Sequence, residues 1–438
     1  MKFQNCVRNE YGKCDTPSST ISRIKRGFQR LHLDAEYSPF RVSENIYWGR
    51  AWIDEAKIVC NGKGVTPELA EASAYAELAE RFSSGLFYAD FEERVRFNIP
   101  ALYDQETSSF LNFEWMDGYV HSHQDSLAEK HLRIEDLLAG ESHLTDGDVE
   151  EIKKSHMAMH WVDGFSVISE ETVKVPVNFV AYIHASNGIA AGNTLEEAML
   201  QASCEIFERH AQIQTIKPER IVPSIDLASV ESDVIQGMAR YYSEKNVEVV
   251  IKDLSLDGQL PCIGVLFTNH NIPADRLEHR ILLPGASFDL DEALTRCFTE
   301  SMQGRETLSR ARPELDRPVL HRSRVGNYYL LMKCAISLKD ISFLERGETT
   351  AYRNVKIKDV FGEIEEVRNI CKRFDTDFIV LNNTHPVLDF PVARVIIPRV
   401  SDFLPFLERE ILVSEETRPS AVWRGERYRR IMGSFFAH

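Results

Sequence analysis

The chain has no CxxC pair, no run of about 18 apolar residues, and no excess of positive charge. Its 51 lysines and arginines face 67 aspartates and glutamates, a formal charge of −16. Nucleic acid and anionic membrane surfaces both call for basic patches, so neither is expected as a partner. The missing apolar run argues against a membrane span, and Met1 to Cys6 shows no apolar signal core. The eight cysteines are scattered, and Cys204 and Cys297 sit in apolar helical stretches. This usage predicts a reduced, cytoplasmic protein without a disulfide framework. Also lacking are a GxSxG elbow, a P-loop, a Rossmann fingerprint and a kinase signature. Any nucleotide site is therefore of a less common type.

Histidine–metal patterns are equally thin. His156 and His160 are four apart, but the HExxH glutamate is missing and methionines lie between them, so a metal role is not expected. No low-complexity linker divides the 438 residues. A cap within Thr16–Thr20 precedes Ile21, Ile24, Phe28 and Leu31 at helical spacing. Strands are predicted over 46–53, up to Cys60, and over 175–183, 260–268, 280–283, 378–381 and 392–397, and a turn over 61–64. Helices are predicted over 67–84, from 194 onward, over 291–305 and over 359–374. Strands and helices interleave without a regular βαβ beat, which predicts α+β. Residues 88–160 read as an insertion or lid, and 406–438 as a charged tail.

What the chain does have is a repeated frame. Thr66, Ala70, Ala74, Glu77, Glu80 and Arg81, shifted by 128 residues (66 to 194), overlay Thr194, Ala198, Ala202, Glu205, Glu208 and Arg209. A degenerate third copy runs through Ala293, Cys297, Glu300 and Gln303. Alanines at i and i+4, with glutamates at i+7 and i+10, lie along one side of a helix. Small residues before the carboxylates predict close helix packing there. Three such faces turned together would gather five carboxylates, which requires positive charge between them. Hard divalent cations with oxygen ligands meet that need.

Several residues keep two readings. Thr194 and Glu197 form the sequence of a capping box, or Glu197 meets a ligand at the start of the second repeat helix. Arg296 is either a structural ion pair among carboxylates or a cation for transferring phosphate.

At these residues the chain resembles the YcaO family. The matching stretches are Asn61-Gly62-Lys63-Gly64 through Arg81, Ser186 through Arg209, and Ala293 through Arg305, with a weaker match over Ala393–Pro398 and Ser401-Asp402. The resemblance implies the YcaO fold, mixed sheets packed with helices around a nucleotide and metal site built from the repeated helices. It implies one catalytic domain over residues 1–405. It also implies ATP/Mg²⁺-dependent activation of a backbone amide: a nucleophile adds to the carbonyl carbon, the amide oxygen takes the γ-phosphate, and phosphate leaves. By position, Glu77, Glu80, Glu205, Glu208 and Glu300 would ligate Mg²⁺. Lys13, Thr20, Asn193, Glu197, Gln201 and Arg296 would contact ATP. Arg296, Glu205 and Glu208 would carry the catalytic charge. Thr20 stands where the family has serine; its other reading is a cap for the helix at 21.

Two departures bear on the product. Azoline-forming members often end in a proline-rich tail, and no proline follows Pro419 here. Ser287 replaces a histidine frequent in relatives. The expected function is therefore thioamidation of a protein or peptide, or support of ribosomal-protein methylthiolation. An azoline-forming cyclodehydratase working with a partner, or a non-catalytic nucleotide-binding accessory protein, are the competing readings. The resemblance also implies a homodimer and a partner protein: TfuA-like, a methylthiotransferase or a substrate-presenting protein.

Overall fold

A computed structural model describes residues 3–84 except 44 and 55–57; 130–137; 161–216 except 177–179, 181–183 and 185; 218–302 except 275–278; and 342–401 except 355, 358 and 386. Residues 146, 147 and 150 are also described. The predicted insertion (88–160), His156, His160, Gln303, Arg305 and the charged tail thus lie largely or wholly outside the described residues.

The predicted α+β class holds, and the described residues form three sheets. The first is antiparallel: β1 (Glu36–Ser43), β2 (Ile46–Ile53) and β3 (Ile58–Gly64). The second runs β10-β9-β8-β7-β11, using β7 (Ser224–Asp226), β8 (Val247–Asp253), β9 (Cys262–Asn269), β10 (Arg280–Ala286) and β11 (Thr349–Ala351). Only its β11–β7 pair is parallel. The third runs β5-β4-β12-β13-β6, from β4 (Trp161–Ser166), β5 (Thr172–Pro176), β6 (Ile189–Ala191), β12 (Ile379–Asn382) and β13 (Val392–Ile396). β9 is buried along its whole length, as an apolar run in mid-sheet should be.

The longer helices are α1 (Pro17–Arg30), α2 (Pro67–Ser83), α3 (Leu195–Ile216), α4 (Asp233–Glu244), α5 (Leu290–Glu300) and α6 (Val360–Arg373). α1 begins four residues before the predicted Ile21, because Thr16 is its N-cap, accepting from Ser19 N, and Pro17 suits the first turn. Thr20 is therefore an interior residue of α1 and not its cap.

The repeat is larger than a helix. Each copy is a strand followed by its helix: β3 then α2, β6 then α3, β10 then α5, each pair in contact. The predicted turn at 61–64 is instead the end of β3. Its glycines serve close packing: a Cβ on Gly62 would run into the backbone of Ala70 and Ala74. In the third copy, a Cβ on Gly285 would strike Ala293 O and stand 2.8 Å from Cys297 Sγ. The alanine frame thus seats each helix on the backbone of its strand.

Three apolar clusters hold these units. One joins α1, α2 and the first sheet, where Phe28 and Phe82 meet edge to face with centroids 5.4 Å apart. Truncating either phenylalanine is worth about 3–5 kcal/mol. A second joins α4 and α5 to the second sheet, and a third packs α3 and α6 between sheets. Among the described residues, no helix is long and apolar enough to cross a membrane.

Candidate nucleotide and metal site

The first and second repeat helices start alike. Thr66 Oγ1 accepts from Leu69 N at 3.2 Å, and Thr194 Oγ1 accepts from Glu197 N at 3.1 Å. The second start then diverges. The Glu197 carboxylate does not close a capping box on Thr194; its Oε2 accepts from Asn193 Nδ2 at 3.3 Å and from Cys14 N at 3.1 Å. Asn193 Oδ1 accepts from the Thr20 hydroxyl at 2.6 Å, and its carbonyl accepts from Arg23 Nη1 at 3.0 Å. The glycine loop before α3 is thereby tied to the N-terminal segment and to α1.

Beside this junction lies a small cleft, open to solvent. Arg8, Lys13, Glu197, Gln201, Glu292 and Arg296 supply its polar lining, and Leu200, Cys204, Ser287, Phe288 and Glu363 complete the walls. Arg296 Nη1 donates to Gln201 Oε1 at 2.9 Å, joining α5 to α3. Glu292, one helical turn before Arg296, accepts from Lys13 Nζ at 3.1 Å and from the Ser287 hydroxyl at 2.9 Å. Burial alone would raise the Glu292 carboxyl, but Lys13, Arg8 and Arg296 pull it down to about 2. Arg8 forms a forked ion pair with Glu363, with Nε 3.1 Å from Oε1 and 3.2 Å from Oε2. The cleft therefore presents three cations, Arg8 and Lys13 paired with carboxylates and Arg296 hydrogen-bonded to the neutral Gln201 amide.

The carboxylate cluster adjoins the cleft through Arg296, whose charge is favoured by Glu208 and Glu292 and also by Glu205. Glu80, near the end of α2, accepts a hydrogen bond from the Ala191 backbone at the end of β6. Burial pushes its carboxyl well above the ordinary range; Arg81 opposes this, while Glu205 and Glu77 add to it. Burial likewise raises Glu205, with Arg209 opposing and Glu208 adding. Glu80 of α2 and Glu205 of α3 thus share one electrostatic neighbourhood. Glu300 is ion-paired with Lys63 of β3.

The donor chemistry suits a hard divalent cation: the set is oxygen only, and Glu80 and Glu205 are crowded by like charge. Among the described residues, no three of the His, Cys, Asp and Glu side chains converge closely enough to hold an ion as they stand. Arg81, Arg209 and Arg296 supply positive charge within the cluster.

Of the six residues expected to meet nucleotide, Lys13, Glu197, Gln201 and Arg296 line the cleft, while Thr20 and Asn193 stand behind Glu197. The sequence reading missed Arg8, Glu292 and Glu363. Glu292 had a usable signal, its i, i+4 spacing to Arg296. Arg8 and Glu363 are 355 residues apart and carried none. The expectation of no disulfide is corrected: Cys6 and Cys14 are joined, with Cα atoms 5.9 Å apart. A tight turn brings them together, with Gly12 N donating to Asn9 O at 2.9 Å and Gly12 at φ +70°.

Comparison with known proteins gives this geometry a setting. A family model described as YcaO cyclodehydratase, ATP- and Mg²⁺-binding, matches residues 61–401. The chain is 28% identical over 312 residues to the ribosomal protein S12 methylthiotransferase accessory factor YcaO of Escherichia coli, covering 67% of this chain and 49% of that protein. It is 26% identical over 255 residues to a protein encoded in the tfuA 3′ region of Rhizobium leguminosarum bv. trifolii, covering 54% of this chain and 60% of that one. A solved structure of YcaO from Methanopyrus kandleri, bound with AMPPCP and Mg²⁺, shares the fold at a TM-score of 0.59 and 18% identity, covering 93% of this chain and 97% of that chain. The chain spans about half the length of the curated relatives it matches.

Proposed function

The chain belongs to the YcaO family, and we propose that it activates a backbone amide of a protein or peptide by ATP- and Mg²⁺-dependent phosphorylation. The observation that carries this reading is the position of Arg296. It donates to Gln201 in the cleft and lies within the field of Glu205 and Glu208. One guanidinium thus stands where a cleft with cationic lining meets a carboxylate cluster. A metal-bound polyphosphate carries both kinds of charge and would bridge the two.

ATP bound with Mg²⁺ supplies the phosphoryl group that makes the amide oxygen a leaving group. The chain's residues position and neutralise. Glu77, Glu80, Glu205, Glu208 and Glu300 would hold Mg²⁺, the last after release from Lys63. Lys13 and Arg296 would meet phosphate oxygens, exchanging Glu292 and Gln201 for the ligand. Thr20, Asn193 and Glu197 form one hydrogen-bonded chain that fixes the start of α3. Holding the reactants in register is worth several kcal/mol of barrier by itself.

For the product we favour thioamidation, or support of methylthiolation on a ribosomal protein, by a cytoplasmic enzyme with one catalytic domain over residues 1–405. The name of the Escherichia coli relative supports that setting. The relative from the tfuA region supports a TfuA-like partner. The family description, a cyclodehydratase, favours azoline formation as the second reading. Mass analysis of substrate peptide after incubation with ATP, Mg²⁺, sulfide and the partner separates them. Oxygen-to-sulfur exchange with ADP release supports thioamidation. Loss of water selects azoline formation. ADP release that needs the partner, with no change in peptide mass, selects the supporting role. Absence of substrate-dependent ADP release contradicts catalysis and leaves a non-catalytic accessory protein.

A further inference from the structure

The N-terminal segment reaches the cleft as a loop closed by two half-buried cysteines. Cys6 and Cys14 are disulfide-bonded, and the chain between them is turned by Asn9, whose Oδ1 accepts from Tyr11 N at 2.9 Å and Lys13 N at 3.2 Å. This loop supplies two of the three cations of the cleft, Arg8 against Glu363 and Lys13 against Glu292. Its last residue, Cys14, donates its backbone N–H to Glu197 Oε2. The disulfide thus brackets Arg8 and Lys13 and ends on a direct bond to the start of α3.

The remaining described cysteines have another character. Cys60, Cys204, Cys262, Cys297 and Cys371 are buried. Burial pushes the thiols of Cys204 and Cys371 up to about 12, so little thiolate forms. Cys6 and Cys14 are partly exposed, and Asn5 and Val7 beside Cys6 are exposed. Among the described cysteines this pair carries the most exposed surface; Cys204, though it lines the cleft, is only 6% exposed.

We infer that Cys6 and Cys14 form a thiol–disulfide site that sets the strength of nucleotide binding, the disulfide strapping Arg8 and Lys13 into the cleft and reduction releasing them. The inference rests on the ATP reading of the cleft. The exchange partner is a low-molecular-weight disulfide of the glutathione type. One cysteine thiolate attacks a sulfur of that disulfide and expels one small thiolate. The second cysteine thiolate attacks the protein sulfur of the mixed disulfide and expels the other. Two protein thiols give up two protons and two electrons, and the external disulfide takes them up as two thiols. The closed loop loses less conformational freedom when a ligand engages Arg8 and Lys13, which is the source of the affinity gain.

The test uses the full chain in two states, treated with oxidised glutathione or with excess dithiothreitol, and titrated with ATP in the presence of Mg²⁺. The oxidised form is expected to bind about tenfold more tightly. Cys6→Ser and Cys14→Ser should each bind like the reduced form and ignore the treatment. Hydrogen exchange at the Cys14 amide, which bonds Glu197, should quicken on reduction. Equal affinity in the two states overturns the inference, and so does a redox effect that persists in Cys6→Ser. If neither state binds ATP while Cys14 exchange still quickens, the ATP reading fails and the strap stands. Unchanged Cys14 exchange overturns the strap itself.

Discussion

Arg296 of α5 donates to Gln201 of α3 at 2.9 Å, linking the third copy of the repeat to the second at the rim of the cleft. The same guanidinium is held charged by Glu208 and Glu292. Arg296→Ala should weaken Mg·ATP binding by about 1.5–3 kcal/mol, the range for a charge-assisted contact. Gln201→Ala should cost less, since it removes one neutral acceptor. Paired calorimetric titrations check the order; equal losses would contradict it.

Glu80 and Glu205 have carboxyls raised above the ordinary range by burial and like charge. A raised carboxyl keeps its proton in the folded state over a window where the unfolded chain has lost it. Without Mg²⁺ their contribution to stability therefore falls as pH rises from about 5 through the raised values. A cation that displaces those protons should bind more tightly as pH rises through the same window. Thermal melts with EDTA or Mg²⁺ across that range read this directly. The stabilisation by Mg²⁺ should grow with pH in wild type and much less in Glu80→Gln.

Glu292 runs the other way. Its carboxyl, pulled down to about 2, contributes stability that is present above the ordinary carboxylate value and lost as pH falls toward 2. Its partial exposure screens the gain, so Glu292→Gln should cost about 1–3 kcal/mol near neutral pH. Urea unfolding should show the two proteins converging as the buffer is acidified below about pH 4.

Gly62 of β3 lies so close to Ala70 and Ala74 that no Cβ fits. Gly62→Val should destabilise by at least about 2 kcal/mol, through overpacking that neither backbone can relieve. Gly237→Ala is a suitable control: Gly237 lies within α4, and a Cβ there would first meet only the end of the Asn45 side chain.

Much of this site was legible in the chain because it repeats. Thr66 and Thr194 cap helices in the same way, and the alanine frame seats them on their strands. Glu80 of α2 feels the charge of Glu205 of α3, although no three such carboxylates among the described residues converge. Local signals failed where tertiary contact chose the outcome. Asn61 to Gly64 has the composition of a turn, yet those glycines are there for a helix pressing on a strand. Arg8 finds Glu363 across 355 residues, and no local pattern marks either one. The Cys6–Cys14 pair was hidden for a similar reason, since the turn that joins them hangs on Asn9 and Gly12.

The central claim is that carboxylates on the repeated helices carry magnesium, and that magnesium carries ATP. Calorimetric titration of the full chain with ATP, with and without Mg²⁺, beside Glu205→Ala, tests it most directly. The account predicts binding in wild type only when Mg²⁺ is present, and a loss of at least about 100-fold in Glu205→Ala, whose fold should survive because this buried, crowded carboxylate is removed rather than added. Indistinguishable titrations of the two proteins, or wild-type binding unaffected by removing Mg²⁺, would contradict it.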